Sequence, residues 1–220
     1  MHVTLGEEVA LLSLDEESGT MKNRSAAGWA VAGGTLLELA MAERVSVTDG
    51  RVVVIDAAPT GIALLDGRLA EIASWTERRG WGKAGKWLAK DHPAAVRAAV
   101  HSLCGRGVVV EERLRALGLF PVRRYSGADG TVAREVRGRL SGAVLGGGTP
   151  DPRTCGLIAL LHAARLHPLA FPGTPRKKVE PRMAEIAEGQ WAGAVVREAI
   201  RTMQAAVAAG VVAATTASGS

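Results

Sequence analysis

One pair of side chains in the sequence has the types and spacing of a nucleophilic site. His101 and Cys104 lie three residues apart in an apolar stretch, so a helix would bring them to one face. A histidine beside a cysteine can favour the thiolate, which is the nucleophilic form. A buried thiol beside a core imidazole is far more common in proteins. Of three functional hypotheses, an enzyme built on this pair is therefore the least favoured.

Other patterns of catalysis and metal binding are missing from the sequence. His162 and His167 are five residues apart, so they do not share a helix face as paired metal ligands do. The glycine-rich segment 146–152 lacks the Lys-Ser or Lys-Thr ending of a phosphate-binding loop. Cys104 and Cys155 have no metal-type spacing, and their apolar surroundings are typical of buried free thiols. We predict no catalytic residue, no metal and no cofactor.

The composition fits one large helical domain with a moderately basic surface. The chain has 220 residues, of which 47% are hydrophobic, and this excludes wholesale disorder. Aromatic residues make up only 4%, so Leu, Val and Ala must build the core, which suits packed helices. The net charge of +5 permits an anionic partner, such as a membrane surface or nucleic acid, without requiring one.

Helical patterns dominate the chain and surround one apolar segment. Residues 25–45 are apolar on all sides, which is typical of a central buried helix. Gly28, Gly33 and Gly34 would each cost about 1 kcal/mol in that helix, so we expect them to permit close approach of neighbouring helices. Thr4 and Glu7 form a capping-box pattern at the start of the first helix. No repeating βαβ pattern is present.

Two short hairpins complete the predicted fold. Asp49-Gly50 separates two β-branched runs, which is a strong hairpin signal, and residues 107–130 predict a second hairpin. A helix over 87–104 is expected to be interrupted near His92-Pro93. The sequence thus predicts a mainly α protein: a single helical domain around a central apolar helix, with two short β-hairpins. The domain spans 1–212, and 213–220 form a flexible tail.

A tight turn follows the first hairpin, in the stretch Asp56–Asp66. Pro59 fixes its own φ and Gly61 tolerates a positive φ, so Pro-Thr-Gly predicts the turn. We expect Thr60 to cap a helix that begins near Ile62.

Five segments, in this order, resemble the Golgi phosphoprotein 3 family in its shorter bacterial form. They are LGEEVALLSLDEESG (5–19), LLELAMAERVSV (36–47), DAAPTGIALLD (56–66), LGLFPVRRY (117–125) and DPRTCGLIALLHAARL (151–166). The resemblance implies a mainly helical single domain with a projecting β-hairpin. The characterised eukaryotic members are peripheral membrane proteins, not enzymes. They bind phosphatidylinositol 4-phosphate at the Golgi and act as adaptors that retain glycosyltransferases.

The resemblance also implies positions for a lipid headgroup, and this sequence departs from the family at each of them. Ungapped counting puts the family's aromatic and basic contacts at Asn23, Ala32, Pro93 and Val96. Nearby residues offer a substitute set of cations and a ring for a phosphate headgroup: Lys22, Arg24, Trp29, Lys90 and Arg97. The alternative is that the charges are ordinary solvated side chains and that the ring is part of the core.

The tip of the second hairpin combines apolar and basic residues. The residues are Leu117, Leu119 and Phe120, followed by Arg123 and Arg124. This combination suits shallow insertion among anionic headgroups. In the family, the corresponding hairpin takes part in membrane contact or self-association. The alternative is that the apolar side chains pack back on the helices.

Two functional hypotheses remain besides the enzyme. The first is a non-enzymatic, cytoplasmic protein that docks on an anionic phospholipid surface, with a phosphoinositide-like headgroup as one ligand. It would recruit a client protein or form a homo-oligomer through the hairpin. Three features favour a cytoplasmic location: the two thiols in apolar patterns, the acidic N-terminus and the lack of a long apolar segment. The second is a basic helical module that binds nucleic acid or a protein partner, with nucleic acid the less favoured.

Overall fold

The computed structural model of the chain describes residues 3–15, 18–116, 120–127, 130–188 and 192–217. These residues form nine helices: α1 Leu5–Ser13, α2 Arg24–Met41, α3 Ala63–Thr76, α4 Ala84–Gly105, α5 Thr131–Val144, α6 Pro152–Ala163, α7 His167–Ala170, α8 Arg176–Ala187 and α9 Ala194–Ala217. The strands are β1 Val45–Thr48, β2 Arg51–Val54, β3 Gly82–Lys83, β4 Val109–Ala116 and β5 Phe120–Gly127. The prediction of a mainly α fold is confirmed.

Helix α2 is the centre of the fold. Every residue from Ala27 to Ala40 is buried, and α2 packs against α1, α4, α6 and α9. The central apolar helix predicted from residues 25–45 is therefore present.

The glycines of α2 allow neighbouring backbones to come close. A Cβ on Gly34 would lie 2.8 Å from the backbone nitrogen of Gly6 in α1, and one on Gly28 would lie 2.8 Å from the carbonyl oxygen of His92 in α4. Both distances are below van der Waals contact. The expected role of these glycines in helix packing is confirmed, because a side chain at either position would push a whole helix away.

Helix α1 starts with the predicted capping box. Glu7 accepts hydrogen bonds from the Thr4 N–H at 2.8 Å and the Thr4 hydroxyl at 2.9 Å, while the Glu7 N–H donates to Thr4 Oγ1 at 3.3 Å. The Glu7 side chain is fully buried, and its other oxygen is paired with Arg106, just beyond α4.

Two further buried glutamates extend this pairing into a network. Glu38 of α2 accepts a hydrogen bond from the Leu5 N–H at 2.7 Å and pairs with Arg153 of α6. Arg153 also lies 3.4 Å from Glu8, which pairs with Arg139 of α5 at 2.6 Å. The network therefore ties α1, α2, α5 and α6 to the end of α4.

Helix α4 runs without a break through Pro93, so the predicted interruption at His92-Pro93 is wrong. Proline has no N–H to donate to the carbonyl of Ala89 one turn earlier. His92 Nδ1 lies 3.1 Å from that carbonyl oxygen, and the tautomer with a proton on Nδ1 supplies the missing donor. The ring of Trp29 stacks on His92 with centroids 4.4 Å apart, which holds the imidazole in place.

The two hairpins are present and differ in detail from the prediction. Strand β3 pairs with β2 and extends the predicted two-stranded hairpin to a three-stranded sheet. The second hairpin has two strands of eight residues, longer than expected, and its register ends with Ala116 opposite Phe120.

The turn after the first hairpin is held differently from the prediction. Helix α3 begins after Ile62 and has no side-chain cap, so Thr60 is not its N-cap. Instead, the Thr60 hydroxyl and N–H both donate to Asp66 Oδ1 at 2.6 Å. These bonds, the hydroxyl first, lower the pKa of Asp66. Helix α9 continues to Ala217, so residues 213–217 of the expected tail are helical.

We predict that Gly34→Ala destabilises the protein by about 1–3 kcal/mol, because the new Cβ would displace the backbone of α1. The matched control is Gly67→Ala in α3, where a Cβ would meet no atom within 4 Å. The control should gain about 0.5–1 kcal/mol from helix propensity. Urea unfolding measures both changes. Equal stability of Gly34→Ala and wild type would contradict the close packing of α1 on α2.

Candidate functional site

A cavity of about 880 Å³ lies between the start of α2, the second half of α4 and the second hairpin. Arg24 contributes from α2, and Arg97, His101 and Cys104 contribute from α4. Glu111 and Tyr125 contribute from β4 and β5.

The spacing of residues on α4 explains the cavity wall that this helix forms. Arg97, His101 and Cys104 follow one another at four and three residues, so they lie along one side of the helix. Val96 and Val100 also line the cavity and are buried, whereas Arg97 and His101 are exposed. The cavity thus has an apolar base and a polar, basic rim.

The segment before α2 forms contacts with the hairpin and between its own residues. The Tyr125 N–H donates to the Gly19 carbonyl at 2.7 Å, which connects this segment to β5. Lys22 pairs with Asp15, and the Ser18 N–H donates to the same carboxylate at 2.7 Å. These contacts, the lysine first, lower the pKa of Asp15. They fix the position of Arg24 relative to the hairpin.

The electrostatic character of the cavity is mainly positive. Helix α2 starts at Arg24 without a side-chain cap from Asn23, which has φ 50° and ψ 41°, in the left-handed region. The uncapped end of a helix attracts anions through its free N–H groups and its dipole. Arg24 and Arg97 add two full positive charges, and Glu111 adds one negative charge.

The structure separates the five predicted headgroup residues. Arg24 and Arg97 line the cavity together. Lys22 is paired with Asp15, and Lys90 is exposed on α4 with its ammonium 5.2 Å from the ring of Trp87. Trp29 is buried between α2, α4 and α9.

The surroundings of Trp29 leave no room for a ligand at its ring. One face stacks on His92, and a Cβ on Gly210 of α9 would lie only 2.3 Å from the indole. Trp29 is a core residue and does not line the cavity.

The predicted hairpin tip is described only in part. Leu117 and Leu119 lie outside the described residues. Phe120 and Arg123 belong to β5, and Arg124, also in β5, is exposed. Insertion of this tip into a membrane stays a prediction.

Sequence reasoning missed the part of the cavity that the hairpin forms. Nothing local in the sequence connects Tyr125 or Glu111 to α2, because the link is the backbone hydrogen bond from Tyr125 to Gly19. Two of the counted headgroup positions are Asn23 and Val96, and each is followed directly by an arginine that lines the cavity, Arg24 and Arg97. The other two counted positions lie elsewhere: Ala32 is fully buried in α2, and Pro93 is exposed on α4.

The surroundings of Cys104 do not favour a nucleophile. Burial and, to a smaller extent, the nearby Glu111 carboxylate raise the pKa of the Cys104 thiol. A raised pKa keeps the thiol protonated at neutral pH, whereas a nucleophilic cysteine needs the thiolate.

The fold and the cavity define a mainly α-helical protein with a basic cavity beneath a β-hairpin. The family model of Golgi phosphoprotein 3 (GPP34) matches residues 5–203. The chain therefore belongs to the Golgi phosphoprotein 3 (GPP34) family. A search of curated proteins found no match.

Two features are absent from the described residues. Within them, no helix has the length and apolar character needed to cross a membrane. In the same part of the chain, no group of three or more His, Cys, Asp or Glu side chains could hold a metal ion.

We predict that Cys104 reacts with iodoacetamide more slowly at pH 7 than free cysteine does, because its pKa is raised. Its rate should rise by about tenfold per pH unit and keep rising after the rate of free cysteine has levelled off. Mass spectrometry distinguishes the two thiols. Cys155 is the internal control, since burial raises its pKa to about 11 and it should react only after unfolding. Rapid alkylation of Cys104 at pH 7 would contradict the raised pKa and would support the hypothesis of an enzyme built on His101 and Cys104.

Proposed function

We propose that the protein is a peripheral membrane protein that docks on anionic phospholipid surfaces and holds a headgroup phosphate between Arg24 and Arg97. The observation that carries this proposal is that these two arginines, far apart in the sequence, line one cavity beside the start of α2.

The chemistry of the cavity suits a phosphate ester attached to an apolar molecule. Guanidinium groups donate paired hydrogen bonds to phosphate oxygens, and the positive end of the α2 dipole lies beside the cavity at Arg24. Val96 and Val100 give the base of the cavity an apolar surface, and Tyr125 adds a ring with a polar end. A phospholipid headgroup combines a charged phosphate with a less polar glycerol region, so it matches both parts.

Membership of the Golgi phosphoprotein 3 family supports a lipid ligand, because the characterised eukaryotic members bind phosphatidylinositol 4-phosphate. We propose the phosphate chemistry rather than this particular lipid. The counted headgroup positions Asn23, Ala32, Pro93 and Val96 lack the family's aromatic and basic side chains.

The same family supports a role in recruitment rather than in catalysis. We propose a non-enzymatic adaptor on the cytoplasmic face of a membrane, which holds a client protein there. Insertion of the hairpin tip, and self-association through that hairpin, belong to the same proposal.

We predict that Arg24→Gln with Arg97→Gln weakens binding to vesicles of phosphatidylcholine and phosphatidylglycerol by roughly 30-fold. Each basic residue at an anionic surface contributes about 1 kcal/mol, and about 1.4 kcal/mol corresponds to tenfold in affinity. Vesicle flotation at several salt concentrations measures the effect, and binding should fall as salt rises.

The matched control is Lys177→Gln with Lys178→Gln. It removes the same charge from two exposed residues of α8, which do not line the cavity. Wild-type affinity of the cavity variant, or an equal loss in both variants, would refute the assignment of the headgroup to the cavity. Replacing phosphatidylglycerol by phosphatidylinositol 4-phosphate at equal total charge then shows whether the cavity distinguishes the two headgroups.

A further inference from the structure

The outer face of the three-stranded sheet is both apolar and basic. Along β2 and the residue after it, Arg51, Val53 and Ile55 point outward, whereas Val52 is buried. Val53 is 39% exposed and Ile55 is 62% exposed, which is high for aliphatic side chains. Neither belongs to the core or to the cavity.

The neighbouring strand adds a second cation directly opposite the first. Arg51 of β2 faces Lys83 of β3 across the sheet, and like charges in this position repel each other. The guanidinium of Arg51 lies 4.6 Å from the ring centroid of the half-buried Trp81. The sheet face consists of Arg51, Val53, Ile55, Trp81 and Lys83.

Further cations surround the sheet face without neutralising partners. Arg78 and Arg79 precede Trp81 and are exposed, and Lys86 is the third residue of α4 and is also exposed. Among the described residues, no ion pair involves any of the five cations at or beside this face, which are Arg51, Arg78, Arg79, Lys83 and Lys86.

The acidic residues nearby do not offset this charge. Asp56 pairs with Arg44 at 3.0 Å, and Asp91, the acidic residue of α4, is buried and pairs with Arg68 at 2.8 Å. Asp49 and Glu77 flank the region and form no ion pair with its cations. The sheet face therefore carries positive charge that no ion pair among the described residues neutralises.

Helix α4 connects the sheet face to the cavity along one side of the molecule. Lys86, Lys90 and Arg97 are exposed, and at 100° per residue they lie within about 40° of one another around the helix. The rise of an α-helix separates Lys86 from Arg97 by about 17 Å. One exposed line of cations thus runs from the sheet face to the arginine that lines the cavity.

We propose that the sheet face is a second membrane-contact surface, which rests on the anionic headgroup layer while the cavity holds a headgroup at the other end of α4. Arg51 and Lys83 contact lipid phosphates, Ile55 and Val53 enter the boundary between headgroups and acyl chains, and Trp81 lies at the same level. Helix α4 then lies along the membrane. This inference rests on the proposed function.

The exposed aliphatic side chains favour a membrane over a nucleic acid. A phosphate backbone attracts Arg51 and Lys83 equally well, but it offers no apolar layer for Ile55. A lipid surface accepts both kinds of side chain at once, and it is the partner that uses the whole face.

We predict that Arg51→Gln with Lys83→Gln weakens binding to phosphatidylcholine–phosphatidylglycerol vesicles by roughly 30-fold, by the same reasoning as for the cavity. Ile55→Thr keeps a β-branched residue in the sheet and should weaken binding by about tenfold through lost apolar contact. Lys177→Gln with Lys178→Gln is the charge control, and Val195→Thr, at a residue that is 67% exposed, is the apolar control. Circular dichroism verifies that each variant is folded.

The outcomes separate this inference from the proposed function. Failure of the wild type to bind anionic vesicles overturns both. Loss of binding in Arg24→Gln with Arg97→Gln, but wild-type binding by both sheet-face variants, overturns the sheet face alone. If the sheet-face variants lose vesicle binding while Arg24→Gln with Arg97→Gln binds as tightly as the wild type, the sheet face is supported and the cavity assignment is overturned. Retention of duplex DNA that depends on Arg51 and Lys83, with vesicle binding unchanged, identifies a nucleic-acid surface and overturns the inference.

Discussion

The fold depends on a network of buried carboxylates and guanidinium groups around the start of α1. Glu7, Glu8 and Glu38 are buried, and their partners are Arg106, Arg139 and Arg153. Loss of one partner of a fully buried pair costs about 3–5 kcal/mol, and the cost is smaller here because the arginines are partly exposed; the buried carboxylate would still lose its compensating charge. The network therefore fixes how α1, α2, α5 and α6 meet. Because Arg106 lies between α4 and β4, it also fixes the base of the hairpin that forms one wall of the cavity.

Close packing on α2 then sets the orientation of α4. Gly28 contacts the backbone at His92, and Trp29 stacks on the same imidazole, so α4 cannot rotate without breaking both contacts. In this orientation Asp91 points inward to Arg68, while Lys86, Lys90 and Arg97 point outward. The separation of charge on α4 is thus a consequence of core packing. The charged residues exposed on this side of the helix are then all basic. They include Arg97 of the cavity and Lys86, which follows Lys83 of the sheet face by three residues.

The sequence was sufficient for the features that local interactions decide. The helical class, the buried helix α2, its glycines and the Thr4–Glu7 capping box follow from composition, periodicity and short-range spacing. The pairing of Glu7 with Arg106 could not be predicted, because nothing in either local sequence selects the partner. The same holds for the unbroken helix through Pro93, which depends on the position of His92. The sequence left two positions open for Trp29, and the structure places it in the core. Two of the five predicted headgroup residues, Arg24 and Arg97, line the cavity. Its third wall comes from the second hairpin, which is distant in the sequence.

The central claim is that the cavity beside α2 binds a phospholipid headgroup. The most direct measurement is an NMR titration of the folded protein with soluble short-chain phosphatidylglycerol, with short-chain phosphatidylcholine as the control. The account predicts that the signals of Arg24, Arg97 and Tyr125 shift in a saturable manner with phosphatidylglycerol and much less with phosphatidylcholine. Unchanged signals at these three residues, or equal shifts with both lipids, would contradict it.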